Sequence, residues 1–108
     1  MDPITYDDFQ KLDIKVGTIL SVENVEGSVK LLKIMIDFGN ETRQIISGIA
    51  KWYVASSLVG KQVPVLINLE PRKFLGQESQ GMILMADNED NPVQLHPSQV
   101  VNNGTTVR

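Results

Sequence analysis

Three stretches of this chain alternate apolar and polar side chains with a period of two, a spacing that an extended strand can bury on one face and a helix cannot. In the first, Ile14, Val16, Leu20 and Val22 share a face, with Lys15, Gly17 and Ser21 opposite. In the second, Leu32, Ile34, Ile36 and Phe38 alternate with Lys33, Met35 and Asp37. In the third, Val63, Val65, Ile67 and Leu69 alternate with Pro64, Leu66 and Asn68. Turn residues bound them, Glu26-Gly27-Ser28 after the first and Gly39-Asn40 after the second. Further strands are expected over residues 43–49 and 81–86, the latter broken at Asp87-Asn88-Glu89-Asp90-Asn91-Pro92, and a short one over 93–95 before a tail that runs to Val107. Gly17 reads as a bulge or bend, and Pro64, which has no N–H for a ladder, as an edge or bulge position. Residues 71–76 read as a basic loop.

Helical signals are few. Thr5-Tyr6-Asp7-Asp8 has the form of a capping box with Asp in place of Glu, and Phe9 and Leu12 follow at helical spacing. Residues 52–58 lose the two-residue period and read as a short helix stopped by Gly60. Five main strands, with a short helix between the third and fourth, outline an all-β chain: the five-stranded Greek-key barrel called the OB-fold, which binds oligomers on its face and loops. A small β-sandwich has a similar strand count. The 108 residues, 42% of them hydrophobic, suit one core, so a single domain over residues 1–108 is expected.

No apolar run approaches the roughly 20 residues that span a bilayer, and Met1-Asp2-Pro3 lacks the parts of a secretory signal, so a cytoplasmic protein without membrane contact is expected. The absence of cysteine excludes a disulfide framework, a thiolate nucleophile and thiolate-ligated metals. His96 has no second histidine and reads as structural; Asp87, Glu89 and Asp90 read as a solvated turn, with no bidentate acid where a calcium loop needs one. No Gly-Lys-Ser/Thr and no glycine triplet opens a helix. No catalytic group, metal site or cofactor is therefore expected. The net charge of −3 is unevenly spread: residues 30–73 hold seven bases and three acids, the remainder three bases and ten acids. A basic face that meets phosphates, on an otherwise acidic molecule, fits this division.

The most specific stretch is Asn68-Leu69-Glu70-Pro71-Arg72-Lys73-Phe74-Leu75-Gly76-Gln77-Glu78-Ser79-Gln80-Gly81-Met82. It resembles the signature of the tRNA-binding domain family, found at the C-terminus of bacterial methionyl-tRNA synthetases, in their archaeal beta subunit and in free-standing tRNA-binding proteins. Phe9-x-Lys11-x-Asp13-Ile14-x-Val16-Gly17, Lys30-Leu31-Leu32, Asp37-Phe38-Gly39, Ser47-Gly48-Ile49-Ala50 and Leu58-Val59-Gly60-Lys61 agree with it in order. The resemblance implies an OB-fold that binds the tRNA elbow or outer corner with little sequence preference. It also implies a homodimer joined through N- and C-terminal elements and a methionyl-tRNA synthetase catalytic subunit as partner. On that reading Arg72 and Lys73 reach backbone phosphates, and Lys30, Lys33, Arg43 and Lys51 extend their face. Ser79 and Asn68 hydrogen-bond a phosphate or 2′-hydroxyl, and Met82 lies against a base or sugar. Trp52 and Tyr53 read as core.

Two departures from the family pattern stand out. Residues 24–31, Asn-Val-Glu-Gly-Ser-Val-Lys-Leu, lack the usual His-Pro loop, and Glu70 occupies a position where a base is common. Two rival readings come from other classes. A peptide-binding export chaperone shares the fold family but lacks the Ser79-Gln80-Gly81-Met82 block, and an assembly module would tether a synthetase without needing RNA.

Overall fold

The computed structural model describes residues 1–108. Helix α1 (Tyr6–Gln10) precedes ten strands: β1 (Ile14–Asn24), β2 (Leu32–Asp37), β3 (Thr42–Ser47), β4 (Gln62–Leu66), β5 (Arg72–Phe74), β6 (Gln77–Ser79), β7 (Met82–Ile83), β8 (Met85–Asn88), β9 (Asn91–Gln94) and β10 (Thr106–Val107). The capping box forms as read, with the Asp8 N–H donating to Thr5 Oγ1 and the Thr5 N–H to the Asp8 carboxylate. The stretch read as a helix over 52–58 contracts to one 3₁₀ turn at Ala55–Ser57, which seats Leu58 in the core. No helix is long and apolar enough to cross a membrane.

The main sheet runs β3-β2-β1-β4-β7, antiparallel throughout, with β10 added beside the start of β1. β1 is long enough to serve two partners: Ile14 to Thr18 pair with β4, and Thr18 to Asn24 pair with β2. The sheet curls until its ends meet, where the Gln80 N–H donates to the Gln44 carbonyl at 2.8 Å. This is an all-β OB-type barrel whose five principal strands are β1, β2, β3, β4 and β7. Ile19, Ile34, Ile36, Ile45, Leu58 and Val65 are fully buried inside it, each contributing about 1.5–3 kcal/mol by leaving water.

The period of β1 was readable, but its phase was not. Lys15 and Gly17 pair with Val65 and Val63, so they share the core face, while Ile14 and Val16 pair with Leu66 and Pro64 on the opposite face, where Val16 is nevertheless buried. A bulge then inserts Leu20 without a partner between Ile19↔Ile36 and Ser21↔Met35, which lets Ile19 and Val22, three residues apart, both turn inward. The bulge is at Leu20, not Gly17. Gly17 instead permits close approach, since a Cβ there would meet Ile36 Cγ2 at 2.5 Å and the Asp37 carbonyl at 2.9 Å. Pro64 is neither at an edge strand nor at a bulge. Val16 directs its N–H and carbonyl toward the tail, so Pro64's missing donor faces away from β1, beyond Ile83, where only the Leu84 N–H reaches back to its carbonyl.

Candidate nucleic-acid interface

OB barrels bind oligomers with the face of their second and third strands and with the loops that join strands one to two and four to five. Here those parts are β2, β3, residues 25–31 and residues 67–81. The last segment is not the loop expected over 71–76 but a hairpin, β5 paired with β6, with Arg72↔Ser79, Lys73↔Glu78 and Phe74↔Gln77 in register. Leu75 and Gly76 form its two-residue turn with φ of 51° and 80°, the left-handed pair that matches the twist of a tight hairpin.

Side chains fasten the hairpin to β3. Ser79 is 5% exposed; its Oγ accepts the Ile46 N–H at 3.0 Å and donates to the Gly81 carbonyl at 3.0 Å. Gln44 Nε2 donates to the Glu78 carbonyl at 2.9 Å, and the Gln44 N–H to Gln80 Oε1 at 3.1 Å. Arg43 Nη1 donates to the carbonyls of Ile67 and Gln80, while its Nε holds Glu41 at 2.9 Å. That bond keeps the Glu41 carboxyl below its ordinary pKa, with the nearby charges of Arg43 and Lys15 acting in the same direction. Asn68 is bound at both ends of its amide, accepting the Asp13 N–H and donating to the Lys11 carbonyl, so it ties α1's exit to the barrel. The polar groups of Ser79, Arg43 and Asn68 thus hold the barrel together.

The other expected residues divide in two. Lys33 lies on the same row of the sheet, opposite Ile46, but its Nζ is 2.9 Å from Glu23. Arg72, Lys73, Lys30 and Lys51 are exposed and have no carboxylate within ion-pair distance, although Lys73 faces Glu78 across the hairpin. Lys30 and Lys51 are brought together where the Ala50 N–H donates to the Lys30 carbonyl, and Lys51 Nζ stands 5.5 Å from the centre of the Trp52 ring. Arg72 stacks its guanidinium over Phe74 at 5.0 Å, and Met82, 45% exposed beside buried Ile83, lines a small hollow of about 30 Å³ with both. Trp52 is 43% exposed and not in the core, whereas Tyr53 packs on the core and donates its hydroxyl to the Pro92 carbonyl.

Sequence reasoning missed Phe74, Leu75, Gln44 and Gln80. A two-residue turn ending in glycine, Leu75-Gly76, between residues that alternate was the available signal for the hairpin. His96 Nδ1 is 2.7 Å from the Gln62 carbonyl, which can only accept, so that nitrogen carries the hydrogen. No three His, Cys, Asp or Glu side chains gather as a metal-binding group.

The family model described as "Putative tRNA binding domain" matches residues 14–106. The methionine–tRNA ligase of Archaeoglobus fulgidus is 51% identical over 106 residues, covering 98% of this chain and 16% of that enzyme. That of Campylobacter jejuni is 50% identical over 105 residues, covering 96% and 17%. The chain therefore spans about one sixth of the length of the curated relatives it matches. Among solved structures, a MetRS related protein from Pyrococcus horikoshii superimposes with a TM-score of 0.95 at 38% identity over 100% of both chains. Chaperone CsaA of Bacillus anthracis gives a TM-score of 0.90 at 28% identity, covering 99% of this chain and 100% of that one. With the family model spanning residues 14–106 and half the residues shared with the matched methionine–tRNA ligases, the chain belongs to the tRNA-binding domain family.

Proposed function

We propose that this chain binds the elbow or outer corner of tRNA with little sequence preference, as a non-catalytic companion of methionyl-tRNA synthetase in the cytoplasm. The observation that carries the reading is the pair Arg72 and Lys73, exposed and unpaired on a hairpin that Ser79 and Gln44 fix to the barrel. Cations held this way meet phosphates of a fixed shape, which gives affinity and register without reading bases. Met82 and the Arg72–Phe74 stack supply an adjoining surface for a base or ribose, and Lys30 with Lys51 a second point of charge. The matched ligases of Archaeoglobus and Campylobacter support a methionyl-tRNA synthetase partner.

The same reading includes a homodimer. Tyr6, Phe9, Leu12, Ile14 and Val107 line a groove of about 320 Å³ between α1 and β10, and α1 buries none of its own residues. An apolar surface built from both ends of the chain suits a second copy, and two copies would present two hairpins to one tRNA.

Gel-shift titration of tRNA across a salt series tests the binding. Log affinity should fall linearly with log salt, and a double Arg72→Ala, Lys73→Ala variant should lose about 1–2 units of that slope. Absent or salt-independent binding would sink the reading. Since CsaA chaperones share the barrel, unfolded polypeptide belongs in the same titration: displacement of tRNA by it at comparable concentration would favour a chaperone instead.

A further inference from the structure

The β5–β6 turn needs a left-handed residue at position 75, but nothing in the fold explains why that residue is a leucine. Leu75 has φ 51°, a left-handed conformation in which a leucine Cβ crowds its carbonyl and which asparagine, aspartate or glycine adopts with less strain. The side chain obtains little packing in return, being 64% exposed at the tip of the turn, with exposed Gly76 beside it and open space around that glycine. It also stands among cations, Arg72 and Lys73 preceding it on the same hairpin. Strain with so little burial to offset it, at the tip of a basic hairpin, points to an external partner.

We propose that Leu75 is an apolar contact to the RNA, packing on the open face of an unstacked base, and that it sets which RNA shapes the hairpin accepts. This rests on the tRNA-binding reading above. Phosphates have no use for an isobutyl group, but a base that has lost its stacking neighbour exposes a flat apolar face, which apolar side chains cover when proteins bind distorted nucleic acids. The tip is also presented in one conformation. Its two turn residues are both left-handed, and the strands behind it are fixed to β3 through Gln44, Gln80 and Ser79, so little freedom is lost when it docks. Arg72, stacked on Phe74, stands close enough in the chain to hold the backbone of the same nucleotide while Leu75 covers its base.

The experiment compares the parent with Leu75→Asn, Leu75→Met and Arg72→Ala, titrating tRNA and a fully paired RNA duplex of similar length at several salt concentrations. Leu75→Asn relaxes the turn, so its urea midpoint should equal or exceed the parent's. Its tRNA affinity should nevertheless fall about fivefold to tenfold at every salt concentration, with the salt slope unchanged because no charge is lost. Its affinity for the duplex, which offers no open base face along its length, should change less than twofold. Leu75→Met keeps an apolar tip and should stay within about twofold of the parent. Parent-like tRNA binding by Leu75→Asn, alongside weakened binding by Arg72→Ala, would overturn the inference while leaving the proposed function standing. Equal losses in Leu75→Asn and Leu75→Met would also overturn it, since the apolar surface would then not be the cause. A parent that binds no tRNA at any salt concentration would overturn the functional reading itself, and this inference with it.

Discussion

Ser79 shows how far a motif can mark a residue without stating its work. The Ser-Gln-Gly-Met block and the hydroxyl's chemistry both suggested an RNA contact. In the fold that hydroxyl receives the N–H of Ile46 from 33 residues away and returns a bond to the Gly81 carbonyl, all inside the protein. Asn68 repeats the pattern with Lys11 and Asp13, more than 50 residues distant, and Arg43 with Ile67 and Gln80. Such partners are invisible in a sequence because they are set by how the sheet curls, whereas the exposure of Arg72 and Lys73 followed from the turn chemistry around them. Ser79→Ala would leave a buried donor and a buried acceptor without partners, which costs about 2 kcal/mol. We expect its urea midpoint to drop with the slope of unfolding unchanged, and tRNA affinity per folded molecule to stay within about twofold of the parent. A large loss of affinity without loss of stability would return Ser79 to the RNA surface. Asn68, which is exposed, should tolerate the same truncation better, because water can replace both of its bonds.

At the scale of elements, periodicity revealed β1, β2 and β4, missed the β5–β6 pair and β10, and left the facing of the strands to topology. β2 and β4 fit their alternation directly, since Leu32, Ile34 and Ile36, like Val63 and Val65, point into the core. β1 did not, because it is apolar on both faces and carries an extra residue at Leu20, and nothing local says which face a barrel will enclose. The basic loop became a hairpin for a related reason: a leucine in a left-handed turn is not a residue that turn statistics suggest. Gly17 immediately precedes Thr18, the residue at which β1 pairs with both β4 and β2, and its missing side chain makes room for Ile36 and the end of β2. Gly17→Ala must therefore push either the core or the ladder. The expected loss of stability is about 2–3 kcal/mol, as in overpacked cores, read as a lower midpoint in denaturant. An unchanged midpoint would show that the strand can shift there at no cost and that the glycine is not needed for closure.

On the scale of the whole molecule, the charge division seen along the chain survives only in part. Lys33 and Arg43 are neutralised by Glu23 and Glu41, and Lys61 lines a different groove with His96 and Pro97, which leaves Arg72 and Lys73 on the β5–β6 hairpin and Lys30 with Lys51 at a second place. One small domain with so few unpaired cations has a short electrostatic reach, and doubling the surface is the simplest remedy. The outer face of β1 bears on how that doubling would occur. Ile14 is apolar yet points away from the core, and the helix beside it offers Tyr6, Phe9 and Leu12 to solvent. Sedimentation of the purified chain should give twice its 12.0 kDa mass at micromolar concentration. Phe9→Asp removes apolar area from that groove without touching the barrel, so it should sediment as a monomer with an unfolding midpoint that no longer depends on protein concentration. Its tRNA affinity should fall by about tenfold or more, since the second hairpin then binds without the help of the first. A parent that sediments as a monomer, or a Phe9→Asp monomer that binds tRNA as tightly as the parent, would break the link between the groove and the RNA surface and leave a single barrel to do the binding alone.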